Sequence, residues 1–217
     1  MKSLLLASSL VALSLALTPA HAADDMKVKI TGSLGSVTVK HNGKDVVIQR
    51  NQNTENTINP AFAKTSRECP PFCVNPMQLA PGVETIGELE MLTYLKNMSA
   101  GDNSILVIDS RTPDWVERGT IPGAVNIAWT KLNPAKGASP LDISDIMTKD
   151  FGVKEMEGLW DYSAAKTLVM FCNGAWCGQS PNNIQNLLKF GYPADKIKWY
   201  RGGMQNWESL GLTVVKP

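Results

Sequence analysis

From Pro81-Gly82 onward, short apolar runs alternate with stretches of helical periodicity, and this alternation limits the chain more than any other feature does. Ile105-Leu106-Val107-Ile108 and Thr167-Leu168-Val169-Met170-Phe171 are apolar almost without interruption, as strands covered on both faces must be. Ahead of them, Thr85-Ile86-Gly87-Glu88 reads as a capping box that opens a helix with Leu89, Leu92, Leu95 and Met98 on one face. Thr112-Pro113 supplies an N-cap and a first helical residue for a short helix through Trp115. Ala124 to Trp129 reads as a further strand, and Leu141 to Phe151 as a helix. Ser180-Pro181 predicts one more helix start, leading to Ile184, Leu187 and Leu188 and ending at Gly191. The pattern predicts an α/β domain with a mainly parallel sheet, helices on both of its faces and a functional site at the carboxyl ends of its strands.

The region before this domain is built differently. Val28 to Arg50 is β-like, with alternation in Val37-Thr38-Val39-Lys40, an apolar Val46-Val47-Ile48 and an Asn42-Gly43 hairpin signal. Asn51 to Ser66 is polar and aperiodic, a linker or an arm. Arg67-Glu68-Cys69-Pro70-Pro71-Phe72-Cys73-Val74-Asn75-Pro76 is held in turns by its prolines and sets two thiols four positions apart. At the start, Lys2, the apolar Leu4 to Leu17 and Ala20-His21-Ala22 form the three parts of a secretory signal peptide, so the mature chain is expected to begin near Ala23. The resulting division is residues 1–22 as signal peptide, 23–66 as a β-rich segment and linker, 67–84 as a Cys/Pro-rich connector and 85–217 as the α/β domain.

Charge and histidine count narrow the chemistry. With 21 Lys+Arg against 20 Asp+Glu, the chain lacks the basic excess that a polyanion-binding surface needs, so nucleic acid is not an expected partner. Outside the leader no apolar run approaches the ~20 residues of a membrane span. His21 leaves with the leader, so of the 2 histidines only His41 stays, and Ser-His-Asp, Cys-His and His-rich zinc sites lose their central group. No cysteine follows the cleavage site, which disfavours a lipid anchor and points to a periplasm-like compartment where disulfides persist.

The chemistry concentrates in Cys172-Asn173-Gly174-Ala175-Trp176-Cys177-Gly178-Gln179-Ser180, which joins a buried strand to a helix. A cysteine at that junction faces unpaired backbone N–H groups and the positive end of the helix dipole, a setting that favours thiolate. Its glycines let the backbone curl around a charged sulfur, an oxyanion or a persulfide. The alternative is a strand cysteine packed as a small hydrophobe.

Three separated features then resemble the rhodanese family over about residues 85 to 217. They are Asp109-Ser110-Arg111 with Gly119-Thr120-Ile121-Pro122-Gly123-Ala124-Val125-Asn126, the Cys172 loop, and Tyr200-Arg201-Gly202-Gly203-Met204-Gln205-Asn206-Trp207. The resemblance implies a five-stranded central parallel sheet and makes Cys172 the catalytic cysteine, with residues 173–180 as its anion cradle. It implies a small sulfur-containing donor and a thiol acceptor as partners, and no cofactor or metal. Two departures stand out. Many single-domain relatives place the helix N-cap six positions after the cysteine, whereas Ser180 is eight on, which predicts a wider cradle. Cys177 stands where many relatives carry Arg or a hydroxyl residue, so any cation must come from outside the loop, with Arg111 and Arg201 as the accessory candidates.

Cys177 reads as a resolving thiol, a second sulfur carrier or half of a structural bridge. Four cysteines allow three pairings. The simplest is Cys69–Cys73 with Cys172–Cys177, and bridging of Cys69 to Cys73 is the expectation in an oxidising space. A soft Cu(I) site from Cys69, Cys73 and Met77 is conceivable from ligand type, although Met is a routine core filler. The leading reading is a periplasmic sulfurtransferase working through an exposed Cys172 thiolate. Its rivals are a thiol–disulfide module exchanging with a periplasmic redox protein, and a non-catalytic binding module whose cysteines are only staples.

Overall fold

The computed structural model describes residues 26–217, so the expected leader at residues 1–22 lies outside the described residues. Strands β1 (Ser36–His41) and β2 (Lys44–Gln49) form an antiparallel hairpin. Its turn residues Asn42 and Gly43 both have positive φ, as the right-handed twist of a two-residue hairpin demands. Val28 to Ile30, expected to extend this β segment, is not a strand.

The central sheet takes β3 (Glu84–Ile86), β4 (Ile105–Asp109), β5 (Val125–Asn126) and two strands that follow. Helices α1 (Glu88–Ser99), α2 (Pro113–Val116) and α3 (Pro140–Asp145) connect and cover them, and α3 continues into a π-helical turn at Ile146–Asp150. A second hairpin, β6 (Lys154–Met156) with β7 (Leu159–Asp161), precedes β8 (Thr167–Phe171), α4 (Gln179–Lys189), β9 (Ile197–Tyr200) and α5 (Gly203–Ser209). The sheet order is β3-β9-β8-β4-β5 and every pairing in it is parallel. Side chains alternate across the sheet with period two. Val107, Val169, Phe171 and Tyr200 join one core with Met91, Leu92, Leu95, Trp207 and the hairpin residues Val39 and Ile48. Ile108, Leu168, Met170, Ile197 and Trp199 join the other, against Ile184 and Leu187 of α4.

Several local expectations are corrected. Thr85 does not cap a helix, because residues 84–86 spend their backbone groups on the edge ladder with β9. Gly87 is the cap instead, and the Glu90 carboxylate accepts its N–H at 3.0 Å. The buried face of α1 is therefore Met91, Leu92 and Leu95, and Leu89 is exposed. Only Val125–Asn126 of the stretch from Ala124 to Trp129 pairs with β4, after which the chain tightens into a 3-10 turn at Trp129–Leu132. The β6–β7 hairpin was not foreseen, since its Glu157-Gly158 turn lacks the Asn/Asp-Gly signal. Helix α4 begins at Gln179 with Gly178 as N-cap, six positions after Cys172 rather than eight, so the wider cradle is not formed. Pro181 still sits in the first turn, where its missing N–H costs nothing. Among the described residues, no helix is long and apolar enough to cross a membrane.

Candidate active site

Cys172 directly follows β8, the middle strand of the sheet, so its backbone is fixed by ladders on both sides. From there the chain turns tightly. The Cys177 N–H donates to the Gly174 carbonyl at 2.9 Å and returns Cys177 onto Cys172. Helix α5 holds the loop from behind, with Met204 and Gln205 N–H groups donating to the Cys172 and Asn173 carbonyls, both at 2.9 Å. Gly203 makes this approach possible. Its φ is +54°, and a Cβ there would lie 2.3 Å from the Cys172 carbonyl oxygen and 2.8 Å from the Gly174 nitrogen.

The Cys172 sulfur is surrounded by donors. The Ser180 hydroxyl lies 3.1 Å from it, and the Cys177 thiol and the backbone N–H groups of Ser180 and Gly174 also point at it. Burial pushes this thiol up, but the Cys177 thiol, the Ser180 hydroxyl and the two N–H groups outweigh that effect and bring its pKa down to about 7. Cys177 responds in the opposite sense. Burial raises its pKa, the bond it donates to Cys172 and the neighbouring negative sulfur raise it further, and the Gln179 and Asn173 N–H groups offset only part. The pair thus ionises first at Cys172, with the proton staying on Cys177. No histidine takes part, since His41 accepts the Gly123 N–H at the hairpin and burial lowers its pKa.

Exposure is where the sequence expectation fails. Cys172 is 2% exposed and Cys177 3%, because the loop folds Ser180 and Cys177 onto the sulfur and the connector packs on the loop's outer side. Asn75 donates its backbone N–H to Ala175 and its amide to the Ala175 and Cys177 carbonyls. Phe72 meets Trp176 edge-on at 5.8 Å, and the Arg67 guanidinium stacks 3.7 Å above the same indole. The Trp176 N–H is held by Gln205 at 2.8 Å. Cys69 and Cys73 are joined, closing the connector into a small ring, while Cys172 and Cys177 are free thiols. Of the pairings foreseen, the Cys69–Cys73 bridge is present and Cys172–Cys177 is not. The bridge also removes two thiolates from the soft-metal reading, and the all-staple reading does not match two free thiols.

Arg111 is wholly committed elsewhere and Arg201 in part. Arg111 is 0% exposed and spends its N–H groups on the Asp109 carboxylate and the Gly119 and Trp115 carbonyls, with one reaching Asn173 Oδ1 at 3.3 Å. It steadies the residue beside Cys172 and has no donor left for a substrate. Arg201 binds the Asn75 and Pro76 carbonyls and so anchors the connector. Sequence reading missed Asn75, Arg67 and Trp199. Trp199 donates its indole N–H to Ser180 at 3.1 Å, and nothing local to these three residues marks them. A groove of about 450 Å³ borders the loop at Ala175, beside Met77, Thr85, Arg201 and Gln205. A larger hollow of about 730 Å³ between the end of β2 and the C-terminal segment holds none of the site residues.

The chain matches the rhodanese-like domain over residues 91–210, more than half its length. Among solved structures it is similar to the BH2092 protein of Bacillus halodurans, at 18% identity over 57% of this chain and 70% of that one, with a TM-score of 0.39. It is similar to RPA3614 of Rhodopseudomonas palustris, described as a possible tyrosine phosphatase, at 17% identity over 61% and 85%, TM-score 0.39. It is also similar to the human single-domain sulfurtransferase TSTD1, at 20% identity over 58% and 95%, TM-score 0.36. No curated protein matches it by sequence.

Proposed function

The chain belongs to the rhodanese-like family, and on that premise we propose that it is a sulfurtransferase which carries sulfane sulfur as a persulfide on Cys172. The observation that supports this is the sulfur held at the end of β8 by four donors and poised to ionise near neutrality. The thiolate attacks the outer sulfur of thiosulfate or a similar donor, the sulfur–sulfur bond breaks and sulfite leaves with the electron pair. The Gly174 and Ser180 N–H groups, aimed at the sulfur beforehand, stabilise the charge that moves outward onto the persulfide. A thiophilic acceptor then removes the outer sulfur. Because Arg111 is fully engaged, recognition of the donor falls to the loop and to the part of Arg201 that the connector leaves open toward the groove. Cleavage of a secretory leader and work in the periplasm belong to this proposal, supported by the residues 1–22 pattern and the Cys69–Cys73 bridge.

The test is sulfite release. Reduced protein, freed of reductant and mixed with thiosulfate, is expected to liberate one sulfite per chain, and Cys172→Ser none. Failure of thiosulfate to yield sulfite, together with failure of other sulfane donors to release their leaving thiols, rejects the reading.

A further inference from the structure

Cys177 has one electrophile within reach. Its thiol is 3% exposed, points at the Cys172 sulfur, and is held there from both sides. Its N–H is tied to Gly174 and its carbonyl is taken by Asn75 of the connector, while that carbonyl lies 3.5 Å from the Cys172 sulfur. Both thiols are equally enclosed, so the reaction partner nearest to Cys177 is the Cys172 sulfur beside it, and no bridge ties Cys177 to another cysteine. We infer that Cys177 resolves the Cys172 persulfide, so that the loop releases the sulfane sulfur as hydrosulfide and closes a Cys172–Cys177 disulfide.

This step rests on the persulfide proposed above. The Cys177 sulfur bonds to the inner sulfur, the one belonging to Cys172, because that is the atom it already faces. The bond between the inner and outer sulfurs breaks, and the outer sulfur leaves with the electron pair and the proton that Cys177 carried. One persulfide anion and one thiol thus become one disulfide and one hydrosulfide ion. The two cysteine sulfurs are oxidised and the sulfane sulfur is reduced. The Cys177 proton passes first to the outer sulfur, which makes Cys177 the attacking thiolate and lets the outer sulfur leave as hydrosulfide. A fresh turnover requires an external dithiol to reopen the Cys172–Cys177 bond, so the partner is a dithiol reductant and the product is sulfide. The Cys-x4-Cys spacing that sequence left open among three roles is thereby assigned to one.

The experiment uses the full mature chain, reduced, stripped of reductant and given one equivalent of thiosulfate. Wild type is expected to release one sulfite and one sulfide per chain, to gain no sulfur by intact mass, and to show Cys172 linked to Cys177 by peptide mapping. Cys177→Ser, assayed at completion rather than as a rate, is expected to release one sulfite, no sulfide, and to keep one extra sulfur. If wild type also keeps the extra sulfur and yields no sulfide, the resolving role is overturned while the persulfide stands. If no sulfite appears from wild type and other sulfane donors release no leaving thiol, the persulfide reading falls and this one with it. Should Cys177→Ser not fold, the wild-type sulfide yield and the mapped bridge decide the matter alone.

Discussion

The hydroxyl of Ser180 has one direction left for its proton. The Trp199 indole can only donate, and it donates to this oxygen at 3.1 Å, so the hydroxyl accepts there and turns its hydrogen to the Cys172 sulfur. Ser180→Ala removes a donor to the charged form and is expected to move the pH midpoint of Cys172 alkylation upward from about 7 by about 1–2 pH units, since a hydrogen bond to a charge contributes roughly 1.5–3 kcal/mol and about 1.4 kcal/mol is one pH unit. Alkylation follows the thiolate, so wild type gains rate as pH rises through the midpoint and the variant lags it at neutral pH. Stopped alkylation with iodoacetamide across pH measures this; an unmoved midpoint refutes the hydroxyl's part. At this scale the sequence exposed the proposed nucleophile and its loop, because strand, cysteine, glycines and helix start are contiguous. It placed Ser180 in the cradle, as found, but also made it the helix cap. A hydroxyl beside a proline reads as a cap, and only the fold reveals that Gly178 takes that place while a tryptophan 19 positions away orients the oxygen.

The connector is the element that packs over the outer side of the loop. Phe72, Arg67 and Asn75 close on Trp176 and the loop carbonyls, and the Cys69–Cys73 bridge keeps Phe72 in its ring. Opening that ring, with Cys69→Ser and Cys73→Ser together, is expected to raise the alkylation rate of Cys172 several-fold at fixed pH. The pH midpoint should stay in place, because the sulfur's donors lie elsewhere. Opening so short a ring releases about 2 kcal/mol of constraint on the unfolded chain, so a melting point lower by several degrees is expected beside the faster labelling. Equal rates in both proteins would show that the ring does not govern access. The central strands and α4 were legible because apolar runs and helix periodicity are local properties. The connector's seat was not, since Asn75 meets Ala175 across 100 positions and no pattern within either segment reports it.

The whole molecule is one packing unit, although the sequence reads as a β segment followed by a domain. Val39 and Ile48 of the first hairpin share a core with Met91, Leu95 and Trp207, Phe62 of the linker fills the same space, and the Lys40 N–H is held by Ser99. The hairpin therefore joins α1 and α5 in covering that face of the sheet. Ile48→Ala, at a position with no exposure, is expected to destabilise the entire chain by about 2–5 kcal/mol. Urea unfolding followed by tryptophan emission should move as a single transition, because Trp207 and Trp199 sit in the two cores. A hairpin that melts alone, with the sheet unaffected, would contradict this. The parallel order of the sheet also carries a consequence for crowded solution. Its two borders are strands of three and two residues, β3 and β5, and its long strands are all interior. A neighbouring polypeptide seeking to extend the ribbon finds too little unpaired backbone to dock on, so the central sheet is a poor template for fibre growth even while its middle is rich in valine, isoleucine and phenylalanine.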